Sequence, residues 1–148
     1  MLTIHAADEL RPSWDSEPVK VGAVVVDGDR VAGVGPLGEL LERFPGARVR
    51  RWPGVLGPAL VHEGPLPEAP SPRERVHAVL KSGATAVLNE YADTAELRAA
   101  AARNDVAVLP RMRKTAIVDT GRADLAVFDV DGACLATVCA GRLVHRRR

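Results

Sequence analysis

The sequence predicts an α+β fold: a small antiparallel β-sandwich assembled from both ends of the chain, packed against a short βαβαβ insert. Two observations lead to it. Both ends carry runs of β-branched residues broken by Asp-Gly or Ala-Gly turns, the pattern of antiparallel hairpins. The middle alternates helical periodicity with short apolar runs, the pattern of parallel strands joined by helices.

Residues 2–6 read as a short strand, and a polar stretch with Pro12 and Pro18 separates them from a second at residues 19–26. Asp27 and Gly28 then supply a tight turn into a third, because such a pair tolerates positive backbone angles between β-branched runs. After Gly35, Pro36 suits a first helical turn, and Leu37, Leu40, Leu41 and Phe44 recur at helical spacing until Pro45 and Gly46 stop the helix. Residues 47–52 and 55–61 read as two further strands, the second interrupted by Gly57 and Pro58. Four prolines make residues 64–72 an extended connector.

Residues 72–82 have helical periodicity through Val76, Val79 and Leu80, with Gly83 as a C-terminal stop, and residues 84–88 form a buried strand. The unit repeats as an Ala-rich helix at residues 94–103 and a strand at 106–109. The chain closes on a three-stranded meander: residues 124–129, the Asp131-Gly132 turn, residues 133–139, the Ala140-Gly141 break and residues 142–144.

Composition narrows the function. With 148 residues, 47% of them hydrophobic, the chain can bury one compact core and little more. Twenty basic against 19 acidic residues leave +1, so no global field draws it to nucleic acid or an anionic membrane. No apolar run approaches the roughly 20 residues that span a bilayer, and the N-terminus lacks a signal-peptide pattern, so a cytoplasmic protein is expected. His145, Arg146, Arg147 and Arg148 make a locally basic tail, read as a solvated chain end. Cys134 and Cys139 lie an odd number of positions apart on one strand, which points them to opposite faces.

Gly33, Gly35 and Gly38 spell a G-x-G-x-x-G pattern between a strand and a helix. A dinucleotide site is not expected there, because the strand comes out of a hairpin and Pro36 removes an amide from the loop. A turn and a helix start account for the glycines.

Three segments together resemble the amidohydrolase superfamily, especially its imidazolonepropionase-like and aminodeoxyfutalosine deaminase-like members. The hairpin GAVVVDGDRVAGVG at residues 22–35 is similar to the family's first sandwich hairpin. RVRRWPGVLGPALV at residues 48–61 is similar to the run into its first barrel strand, and GRADLAVFDVDGACLATVCAGRLV at residues 121–144 to its closing strands. The resemblance implies a composite β-sandwich domain at residues 1–54 and 121–148 and a miniature α/β insert at 55–120, in place of a full barrel. It also implies what is missing. The family's first barrel strand ends in a His-x-His pair, expected near Glu63 or Gly64 and two residues later, where this chain has none and His62 stands alone. A closed barrel takes about 250 residues, and residues 55–110 have room for about three strands. A remnant without metal, cofactor or catalytic residue is therefore expected.

The most informative polar residues lie at the C-terminal ends of the parallel strands, where α/β sheets bind ligands. His62 and Glu63 follow one strand, Glu90 the next, and Arg111 and Arg113 the last. They are the candidates for a polar metabolite, with an arginine meeting an anionic or carbonyl group; the plainer alternative is polar residues at strand exits. Three functions stay open: a non-catalytic partner or regulatory protein of a metabolic pathway, a small-metabolite module, or a hydrolase of non-peptide carbon-nitrogen bonds whose site is completed between subunits. Open sheet edges favour a homodimer or a protein partner.

Overall fold

The structure is a computed structural model that describes residues 1–147, so Arg148 of the basic tail lies outside the described residues. The N-terminal half comprises β1 (Leu2–Leu10), β2 (Val19–Asp27), β3 (Arg30–Pro36), α1 (Leu37–Arg43) and β4 (Arg48–Pro58). The insert comprises β5 (Leu60–His62), α2 (Pro72–Lys81), β6 (Ala84–Leu88), α3 (Ala95–Arg103) and β7 (Ala107–Leu109). The closing meander is β8 (Leu125–Phe128), β9 (Cys134–Cys139) and β10 (Arg142–Arg146).

Both ends of the chain enter one seven-stranded sheet, in the order β10-β9-β8-β4-β1-β2-β3. The sandwich is this single sheet curled over. Val24, Val26 and Val31 from one end share a buried cluster with Leu125, Val127, Ala136 and Val138 from the other. Backbone bonds seal the seam: Val31 N–H donates to Gly121 O at 2.8 Å and Ala123 N–H to Asp29 O at 2.7 Å. The tips of two hairpins also meet there. Gly141, at φ 82°, lies so close to the Gly28 carbonyl that a side chain at this position would collide with it.

Five details differ from the sequence reading, most of them for non-local reasons. β1 runs on to Leu10, because it is an interior strand paired with β2 on one side and β4 on the other. The pairing of β1 with β4 is parallel, since α1 carries the chain back across the sheet before β4 begins. β4 is continuous through Pro53 and Gly54, which form a bulge: the register steps from Ala7 opposite Trp52 to Glu9 opposite Val55. The first hairpin pairs Asp27 with Arg30, so its central residues are Gly28 and Asp29, one position later than expected. Pro36 ends β3 and caps α1 from outside the helix.

The insert follows its sequence closely. Ser71 starts α2 as an N-cap whose hydroxyl accepts the Glu74 amide and donates to the Glu74 carboxylate at 3.1 Å, and Thr94 caps α3 through the Leu97 amide. The parallel sheet has the order β5-β6-β7. Its helical face buries Val76, Val79, Leu80, Val87, Leu97, Ala100 and Ala101 in one cluster. Buried Thr137 of β9 donates to Leu80 O at 2.7 Å and ties α2 to the large sheet.

Candidate functional site

The parallel register sets the rim. His62 at the end of β5 lies opposite Val87, and Leu88 at the end of β6 lies opposite Leu109. The strand exits thus share one edge of the small sheet, with Glu90 in a single 3-10 turn beyond β6 and Arg111 in the coil beyond β7. His62 is half-buried and its Nε2 sits 3.0 Å from Pro65 O, so the ring is turned into its own loop. Glu63, Glu90, Arg111 and Arg113 are exposed. Among the described residues, no hydrogen bond or ion pair joins any two of these five.

Of the five, Arg113 lines a cleft. The coil from Arg113 to Asp124 folds back beneath the face of the parallel sheet that the helices leave uncovered, enclosing about 370 Å³ against Leu60, Val61, Thr85, Ala86 and Ala107. Of the basic groups there, Lys114 pairs with Asp15 at 3.2 Å and Arg122 with Asp124 at 2.9 Å. Arg113 has no ion-pair partner among the described residues. The sheet side of the cleft is apolar apart from buried Thr85, while the coil side adds Thr115 and the two ion-paired groups Lys114 and Arg122 with Asp124.

A second cleft brings together residues far apart in sequence. Arg48, Arg50, Arg51, Trp52, Arg146 and Arg147 surround about 420 Å³ beside β4. The Arg146 guanidinium lies 5.5 Å from the Trp52 ring centroid. This cluster was missed in the sequence reading, which took residues 47–52 as an ordinary strand and the tail as a solvated end. The local sign was three arginines within four positions of one strand.

The donor set does not suit a catalytic metal. Among the described residues no group of three or more His, Cys, Asp or Glu side chains could hold one ion. His5 is buried against Trp52, whose Nε1 donates to its Nδ1 at 3.3 Å, and burial, with the charge of Arg50, pulls its pKa down to about 4. Partial burial, then the charges of Lys81 and His145, lower the pKa of His77. Burial pushes the Cys139 thiol up to about 11, against the opposing charge of Arg122 3.3 Å away, which leaves an unreactive thiol. No helix among the described residues is long and apolar enough to cross a membrane.

Comparison with known proteins places this geometry. Residues 22–47 match the imidazolonepropionase-like composite domain of bacteria. No curated protein matches the chain in sequence. Among solved structures, guanine deaminase from E. coli superposes with a TM-score of 0.56 at 14% identity, over 73% of this chain and 35% of that one. Guanine deaminase from Bradyrhizobium japonicum gives 0.55 at 14% identity, over 73% and 34%. An adenosine deaminase from Xanthomonas campestris, solved with bound zinc, gives 0.54 at 18% identity, over 72% and 33%. The chain spans about a third of the length of these structures. Residues 22–47 thus resemble part of an imidazolonepropionase-like composite domain, and the fold of about three quarters of the chain is similar to that of these deaminase structures.

Proposed function

We propose that this chain is a non-catalytic amidohydrolase-like protein that serves a metabolic pathway as an accessory or regulatory partner. One observation carries the reading. The strand-lined face on which a metal-dependent relative would gather its ligands here presents Val61, Ala86, Leu88, Ala107 and Leu109, packed as an apolar cluster. A catalytic zinc takes three protein ligands and an open position. His62, turned to Pro65, and exposed Glu63 and Glu90 lack the supporting contacts that orient such ligands. The direct test is turnover: with zinc or iron supplied, the purified chain is expected to release no ammonia from guanine or adenosine and to leave imidazolone propionate intact. Steady turnover of any of these would overturn the reading.

A second reading is favoured by the Arg113 cleft, where one cation without an ion-pair partner faces an apolar wall. Small-molecule sites combine apolar surface of this kind with a few polar groups that fix orientation. On this reading a small carboxylate or carbonyl metabolite sits against Arg113. A thermal-shift screen of purines and imidazolone carboxylates is expected to find stabilisation that Arg113→Ala removes. A screen without any shift, or a shift that survives the substitution, would dismiss it.

A further inference from the structure

The arginine-lined cleft beside β4 is also a sheet edge. From Arg48 to Trp52, β4 pairs only with β1, and its pairing with β8 begins at Val55. β8 ends at Phe128 and the chain turns away through Asp129, so the lane beside residues 48–53 holds no strand among the described residues. Unpaired backbone of this kind is a template for an added strand. Arg48, Arg50, Arg51 and Arg146 have no ion-pair partner among the described residues, and Arg147 has Asp129 at 3.7 Å. Five guanidinium groups therefore crowd one open edge of a chain whose formal net charge is only +1.

We propose that this edge takes an extended acidic segment of a partner protein as an eighth strand of the sheet. Backbone hydrogen bonds to β4 set its register, and its carboxylates pair with the arginines on either side. Alternation along β4 puts Arg48 and Arg50 on one face and Arg51 on the other, so acidic side chains on both faces of the incoming strand meet a cation. Pro53, which has no amide to donate, ends the docking stretch. Nucleic acid fits less well. Phosphates would use the arginines but not the row of backbone groups, and Trp52, the aromatic ring in the cleft, is only 9% exposed beneath Arg146 and offers no stacking surface. The proposal deepens the accessory reading by naming a class of partner; turnover tests that reading, and peptide binding tests this one.

The test uses the full chain and three fluorescent probes: a short peptide alternating glutamate and valine, the same peptide with proline replacing the valines, and oligothymidylate of equal charge. The alternating peptide is expected to bind in a salt-dependent way and to protect the amides of residues 48–52 from hydrogen exchange. The proline peptide, and the exposed double variant Arg48→Glu/Arg51→Glu, are each expected to weaken binding by about tenfold or more. Exchange protection in the unmodified chain decides the matter even if the variant folds poorly. Failure of the alternating peptide to bind, equal binding of the proline peptide, or tighter binding of oligothymidylate would each overturn the proposal.

Discussion

His5 shows how far a single residue can depart from what its neighbours in sequence suggest. On an alternating strand it reads as one of several polar positions, but pairing on both sides and the indole of Trp52 leave it 3% exposed. A protonated ring there would be a buried charge facing Arg50, which is why the pKa falls from 6.5 to about 4. As pH drops below 6.5 the unfolded chain takes up a proton that the folded chain refuses until about pH 4. The contribution of neutral His5 is therefore whole above pH 6.5 and is lost as pH falls through 4, a matter of roughly 3 kcal/mol. Denaturant titrations across that window are expected to show the fall, and His5→Gln, which keeps an acceptor for Trp52 without a titrating ring, is expected to flatten it. An unchanged slope in the variant would mean that other groups govern acid unfolding. The same limit applied to the rim: the residue types at the strand exits were legible, but whether His62 faces a ligand or its own loop depends on Gly64 and Pro65, whose path no periodicity reveals.

At the scale of elements, what was local was legible and what was distant was not. The hairpins and the helices α2 and α3 follow from residues a few positions apart, and the structure places them within a residue or two of expectation. The parallel pairing of β1 with β4 and the curl that brings Val31 to Gly121 depend on contacts across the chain, as does the arginine cleft, which unites β4 with the end of β10. The shared cluster makes the two ends mutually dependent. Removing residues 124–148 takes away Leu125, Val127 and Val138, each at most 3% exposed. At roughly 1.5–3 kcal/mol apiece, their loss rivals the whole stability of a small domain. The shortened chain is expected to lose its cooperative melt, seen by circular dichroism, and an unchanged melting temperature would contradict a shared core.

The whole molecule joins a curled sheet that is complete on its inner side to a parallel sheet that is not closed. β5 and β7 are edge strands of a three-stranded sheet, and the face away from α2 and α3 is covered by coil, from Arg113 to Asp124 and around Trp14. Met112 at 44% and Val118 at 59% exposed add apolar surface on that side. Parallel sheets are normally covered on both faces, so we expect a homodimer, the simplest closed assembly. Light scattering at micromolar concentration is expected to give twice the chain mass, and a strictly monomeric mass would contradict the dimer and leave the sheet covered by its own coil. The central claim, that an amidohydrolase-like fold here works without a catalytic metal, is tested most directly by elemental analysis of the purified chain and of His62→Ala. The account predicts far less than one zinc or iron per chain in both; about one metal per chain, lost on substitution of His62, would contradict it and point to a hydrolytic site completed between subunits.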